Sequence, residues 1–314
     1  MVLRTPPSTV RVQVSHGPNR ILSKSGVVRV PFDGPPQQTL AGEIELTGVG
    51  VHSGQPVRLR LLPAAADTGL RFRRVDLPGT PEIPVTPDHI IPDEFGRCTT
   101  IGLDAAVSVG MVEHLLAVCL GLGLDNALFE IDGGEAPIGD GSARPLTDAC
   151  LECGLAALDR PRRYVELQGP VVYDRFPVQI IALPSPTLRV TYFVDFDNEV
   201  VLKQAGDFEI TPETFARELA PARTFCFESE IEMLRAAGLI RGGDLTCAVV
   251  VGRDRILGGP LRFPDEMVRH KIIDLLGDLC LLGRPLRAYV SAWRAGHARH
   301  IEFLDVLRKT IEGN

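Results

Sequence analysis

GMVEHLLAVCLGLGL (Gly110–Leu124) is apolar or glycine at every position but two, Glu113 and His114. A helix apolar all round is normally buried. Burying an unpartnered polar group costs about 2–7 kcal/mol, and a charge costs more. A carboxylate and an imidazole inside this helix therefore need something to offset them. One candidate is a bound metal ion with the carboxylate beside it; the other is a set of hydrogen-bonding neighbours at an open helix edge.

A second segment, VRHKIIDLLGDLCLLG (Val268–Gly283), bears on the choice. His270 and Asp274 are four apart, which makes them neighbours on one helical face, and Asp278 continues the stripe one turn later. Ile272, Ile273, Leu275, Leu276 and Leu279 take the opposite arc. Alone, this pattern reads as a solvated polar face on an amphipathic helix. Together the two segments offer His114, His270 and Asp274. Two imidazoles and one carboxylate leave a coordination position for water, as in hydrolytic zinc sites. Zinc lowers the pKa of such a water to about 7, and Glu113, next to one ligand in sequence, is placed to act as general base. There is no HExxH motif and no paired CxxC set.

Seven blocks carry a resemblance. They are TLAGEIELTGVGVHSG (Thr39–Gly54), GRCTTIG (Gly96–Gly102), MVEHLLA (Met111–Ala117), EAPIGDGSA (Glu135–Ala143), ELAPARTFCF (Glu218–Phe227), LRFPDEMVRHKIIDLLGDL (Leu261–Leu279) and AGH (Ala295–His297). In these blocks and their order, from about Thr39 to about Leu307, the chain resembles the UDP-3-O-acyl-N-acetylglucosamine deacetylases, zinc enzymes of the first committed step of lipid A synthesis. The resemblance implies His114, His270 and Asp274 as zinc ligands and Glu113 as general base. It implies His297 as general acid or as electrostatic partner of the developing tetrahedral species, Asp278 orienting that histidine, and Lys271 lending positive charge. Thr224 would donate to the oxyanion and Phe225 would line the sugar pocket. The implied reaction is metal-assisted hydrolysis of an acetamide on a UDP-linked acylated amino sugar, with acetate released. A zinc amidase of the same fold acting on a different N-acyl amino sugar is the alternative, and a non-enzymatic lipid- or nucleotide-binding relative is a third.

Some positions depart from the family pattern. Arg299 and His300 stand where a small or apolar residue and then Asn are usual. Cys247 replaces Asn, Asn198 replaces a frequent His, and Gly139 replaces Met. These bear on acyl-chain preference and sugar contacts.

The fold class expected is α+β, because strands and helices mix without strict alternation. Alternating stretches such as EIELTGVGVH, VRLRLL and VQIIAL read as strands. Helices are expected near 109–122, 143–158, 212–220, 228–238 and 265–281, with no internal sequence repeat. Residues 1–38, basic and rich in proline and serine, read as a flexible extension, with an organelle transit peptide as the lesser reading. A first α+β domain is expected over 39–160 and a second over 161–314, with the break around Leu158–Tyr164. The family fold implies two domains of similar topology packed helix layer to helix layer, the metal between them, and an acyl-chain insert near 226–251. Ile231, Leu234, Leu239 and Ile240 are candidates to line it.

Net charge is −7, which argues against a broad nucleic-acid surface. The basic clusters at Arg71–Asp76 and Arg160–Tyr164 read as solvated faces. No stretch reaches the length of a membrane span. Seven cysteines, an odd number in a long chain, read as reduced thiols in a cytoplasmic setting. Cys150 and Cys153 form one CxxC but read as helical core. Cys98 is weighed as a site for a second, inhibitory zinc. The chain is expected to be a monomer.

Overall fold

The structure, a computed structural model, describes residues 11–15, 34–92, 96–196 and 198–312. It is a mixed α+β arrangement with two six-stranded sheets. The first runs in the order Arg11–Ser15, Glu43–Val49, Pro56–Pro63, Ala127–Ile131, Leu70–Arg74, Glu82–Pro84. Its strands follow the two-residue period of a half-buried sheet. In Pro56–Pro63, Val57, Leu59 and Leu61 turn inward while Arg58 faces solvent. The second sheet runs Val171–Arg175, Val178–Pro184, Leu286–Trp293, Arg189–Asp195, Lys203–Glu209, with Val165–Glu166 also pairing to Leu286–Trp293.

The two sheets share an order. In each, the last long strand inserts between two earlier antiparallel pairs, antiparallel to one neighbour and parallel to the other. The sequence shows no repeat because sheet order is set by apolar period and connection, not by residue identity.

Among the described residues six α-helices accompany the sheets: α1 Glu113–Leu122, α2 Arg144–Cys153, α3 Pro212–Thr214, α4 Ile231–Ala236, α5 Glu266–Cys280 and α6 His297–Glu312. Each of α1 and α5 leads into the inserted strand of its sheet. The α1 helix ends at Gly123, whose φ of 76° supplies the left-handed cap. The α5 helix packs against α1, and both of its arcs are buried: Ile272, Leu275 and Leu279, but also His270, Asp274 and Asp278. The solvated polar face expected for this segment alone is thus absent, because α1 covers it.

Several boundaries differ from expectation. The segment read as helix to 158 stops at Cys153, and Leu155–Pro161 pairs as a strand with Pro36–Leu40. The stretch around the expected break is therefore hydrogen-bonded rather than a bare linker. In the 212–220 segment, α3 runs into a π-turn at Phe215–Leu219. The α6 helix escapes the sequence reading because it opens on HARH, and its apolar period begins only at Ile301 and Phe303. Within the stretch expected to be a flexible extension, Arg11–Ser15 is an edge strand on Glu43–Val49; its Val12 and Val14 alternate with polar residues. The rest of that stretch up to residue 33 lies outside the described residues.

The basic clusters are neutralised rather than simply solvated. Arg73 bridges Glu82 and Glu130, buried Arg74 pairs with Asp76, and Arg162 holds Asp125. Cys150 and Cys153 are free and buried in α2. Among the described residues no helix is long and apolar enough to cross a membrane.

Candidate active site

Gly277 sets the distance between α1 and α5. A Cβ there would lie 2.1 Å from the carbonyl oxygen of Glu113, so only glycine permits this approach. The contact brings the first turn of α1, with Glu113 and His114, against the His270–Asp274–Asp278 stripe of α5. One turn of helix separates each member of that stripe from the next, so all three face the same neighbour.

His114, His270 and Asp274 converge, all buried, with one ligand atom from each within 4.8 Å of the others. His114 Nε2 lies 3.7 Å and His270 Nε2 3.3 Å from Asp274 Oδ1. Donors about 2.0–2.2 Å from a tetrahedral ion sit about 3.3–3.6 Å from one another, so this spacing suits a metal better than a hydrogen bond. His114 Nε2 is buried without a hydrogen-bond partner. The protonation states also suit ligation, which needs neutral imidazoles and an ionised carboxylate. Burial, reinforced by His270, pushes His114 down to about 3. Burial lowers His270 as well, and its Nδ1 lies 3.1 Å from the Ala222 carbonyl, the partner that fixes the ring. Burial opposes ionisation of Asp274, but Lys271 and the surrounding imidazoles hold it well below the usual carboxylate range. Lys271 Nζ donates to Asp274 Oδ2 at 2.7 Å. These residues fit a divalent cation.

Glu113 lies beside the trio. Its Oε2 accepts from the Thr99 backbone N–H at 3.0 Å, and its Oε1 is 3.8 Å from His297 Nε2. Burial raises this carboxyl to about 7. His297 begins α6 and points Nε2 toward Glu113 and toward Asp274 Oδ2, 3.7 Å away. Its Nδ1 donates to Asp278 Oδ2 at 2.8 Å. Burial opposes the imidazolium, but Asp278 and Asp274 raise it to about 10. Burial also opposes the charge on Asp278, and His297 pulls it down to about 2. A base near 7 beside an acid near 10 is the separation that general base and general acid require.

Two members of this network were not assigned from sequence. Thr99 donates its hydroxyl to Asp278 Oδ1 at 2.5 Å while its amide holds Glu113; its only signal was its place in GRCTTIG. His300, noted only as a departure, is fully buried and donates through Nδ1 to Asp278 Oδ2 at 2.7 Å. Asp278, His297 and His300 also form a three-ligand group, but separations of 2.7–2.8 Å are those of hydrogen bonds.

The segment before Phe225 is tied to α5 by a buried ion pair, Arg223 Nε to Glu266 Oε1 at 2.8 Å. The Phe225 ring centroid is 6.4 Å from that of His270, and Lys271 Nζ lies 5.8 Å from the Phe225 centroid. Thr224 and Phe225 line a largely apolar cavity of about 180 Å³ with Ile231, Leu234, Ile240 and Val250. Leu239, also expected there, is not among the lining residues. Cys98 lines an adjoining cleft with His52 and Glu135. Of the other departures, Asn198 braces a loop by accepting from Val200 N, and buried Cys247 packs its carbonyl against Gly141. Gly139 borders a small cavity beside His114.

Comparison with known proteins finds matches along most of the chain. The UDP-3-O-acyl N-acetylglycosamine deacetylase (LpxC) family matches residues 37–309. A UDP-3-O-acyl-N-acetylglucosamine deacetylase of Thermosynechococcus vestitus is 43% identical over 87% of this chain and 94% of its own. One from Oleidesulfovibrio alaskensis is 41% identical over 88% of this chain and 90% of its own. The bifunctional enzyme LpxC/FabZ of Chlorobaculum tepidum is 38% identical over 88% of this chain, which spans 65% of that longer protein.

Proposed function

The chain belongs to the UDP-3-O-acyl N-acetylglycosamine deacetylase family, and we infer that it performs that family's step of lipid A biosynthesis, removing the N-acetyl group of UDP-3-O-acyl-N-acetylglucosamine, with zinc held by His114, His270 and Asp274. The observation that carries the zinc assignment is the orphaned His114 Nε2 facing His270 and Asp274 at coordination spacing. A zinc ion there would supply an acidified water and polarise the acetyl carbonyl.

The chain's own groups account for the proton movements. Glu113, its Oε2 fixed by the Thr99 amide, takes a proton from the attacking water. The hydroxyl adds to the carbonyl carbon, and the Thr224 hydroxyl donates to the resulting oxyanion. His297, protonated and held through Nδ1 by Asp278, gives its Nε2 proton to the amine nitrogen as the C–N bond breaks. Acetate and the free amino sugar leave. Lys271 keeps Asp274 ionised, and Phe225 offers its ring to the sugar. The cavity lined by Ile231, Leu234 and Ile240 takes the acyl chain. The shared order of the two sheets supports two α+β units, over 39–160 and 161–314, with the site between α1 and α5.

The test is acetate release from UDP-3-O-acyl-N-acetylglucosamine by purified protein, with metal content measured in parallel. Turnover with about one zinc per chain, as the single ligand trio requires, supports the reading. Turnover only on another N-acyl amino sugar, or full turnover in metal-free protein, overturns it. The protein is expected to work in the cytoplasm on this nucleotide-linked substrate.

A further inference from the structure

Asp278 is a fully buried carboxylate, and three donors hold it. Thr99 occupies Oδ1. His297 and His300 both donate to Oδ2, each through Nδ1. On the other edge of the His300 ring, Nε2 lies 3.0 Å from the Tyr192 hydroxyl, which also reaches the Ala295 carbonyl at 2.8 Å. Tyr192 is buried in the second sheet, and Ala295 lies two residues before His297. His300 therefore links three elements: the strand Arg189–Asp195, α5 through Asp278, and the start of α6.

We propose that His300 is a positioning residue of the deacetylation: with Thr99 it locks the Asp278 carboxylate in the orientation that holds His297 by Nδ1 and directs His297 Nε2 at the reaction centre. A carboxylate can rotate about its Cβ–Cγ bond. The His297 bond alone fixes one oxygen and leaves that rotation open. A donor on each oxygen from Thr99 and His300 closes it. A second N–H on Oδ2 also shares that oxygen, so His297 is held but not drawn away from the cluster. The hydrogen bonds of the His300 ring go to Asp278 and Tyr192, so it acts through Asp278. This inference rests on the deacetylase reading above.

The geometry supplies a discriminating pair of variants. The side-chain N–H₂ of asparagine reaches the place of an imidazole Nδ1, and that of glutamine the place of Nε2. His300→Asn keeps the donor to Asp278, whereas His300→Gln keeps the hydrogen bond with Tyr192 and loses the donor to Asp278. We expect His300→Asn to keep kcat within about threefold of wild type, and His300→Gln and His300→Leu to lose about 10- to 100-fold, the usual range for removing a partner of a functional side chain. KM and zinc content should stay unchanged in all three. Tyr192→Phe, which removes only the outer partner, should keep kcat within about threefold for the same reason. A merely structural role predicts the reverse order, since glutamine fills the imidazole volume better than asparagine.

Equal kcat for the Asn and Gln variants, or a Leu variant with wild-type kcat, overturns the proposal while leaving the deacetylase reading intact. A loss confined to KM or to zinc content overturns it too. Should His300→Leu not fold, the Asn and Gln pair decides. A wild-type protein that releases no acetate from the substrate overturns the deacetylase reading, and this inference with it.

Discussion

Replacing Glu113 with Gln separates catalysis from stability with opposite signs. Glu113 is almost wholly buried, and burial lifts its carboxyl from an ordinary 4.5 to about 7. At about 1.4 kcal/mol per pKa unit, ionising it inside the fold costs about 3 kcal/mol relative to the unfolded chain. The sign follows from the direction of the shift. The unfolded chain loses this proton first, so the penalty is absent below about pH 4.5, grows as pH rises, and is complete above about pH 7. Gln cannot ionise. Its carbonyl keeps the Thr99 amide, and its N–H₂ group, short of partners, gives back about 1 kcal/mol. Metal-free Glu113→Gln should therefore be about 2 kcal/mol more stable than metal-free wild type at pH 8, about 3 °C in Tm for a chain of this size, with no gain at pH 4.5. The zinc-loaded variant should lose about 10²- to 10⁴-fold in kcat, the share of a general base. Denaturant titration at the two pH values and an acetate-release assay read both effects. Near-normal turnover, or a metal-free variant that is destabilised at pH 8, would refute the reasoning.

Three further outcomes follow from the same geometry. Gly277→Ala puts a methyl group 2.1 Å from the Glu113 carbonyl oxygen; it should cost about 1–3 kcal/mol or more in urea unfolding and lower kcat by moving Glu113 from Asp274. Asp278→Asn removes the charge that keeps His297 protonated up to about 10. The alkaline limb of kcat/KM, where the general acid loses its proton, should move to lower pH, and an unmoved limb would exclude His297 as that acid. Ile231→Trp intrudes on the apolar cavity; it should raise KM about tenfold for a long acyl chain, equivalent to about 1.4 kcal/mol, and leave a short one unchanged.

The candidate site is legible in the sequence where polar chemistry sits against its local background. Glu113 and His114 stood out because everything around them is apolar. The i, i+4, i+8 spacing placed His270, Asp274 and Asp278 on one face before any coordinates. What sequence could not carry was the partner on that face: the burial of the α5 stripe depends on α1 approaching over Gly277, a tertiary fact. His300 was legible only as a departure from a pattern, because nothing local says that a residue three positions after His297 turns back onto Asp278. Thr99 acts partly through its backbone N–H, which every non-proline residue has. The α6 helix is not legible because its first turn is polar, with His297 and His300 turned to the site and Arg299 to solvent. The common order of the two sheets left no trace in residue identity, since an apolar alternation specifies a strand without specifying which strand it is.

The central claim is one metal at one place. A crystal structure of the zinc-loaded protein, with anomalous data at the zinc edge, tests it most directly. The account predicts a single strong peak bonded to His114 Nε2, His270 Nε2 and an Asp274 oxygen at about 2.0–2.2 Å. No peak at that position, or a peak among Asp278, His297 and His300 in its place, would contradict it.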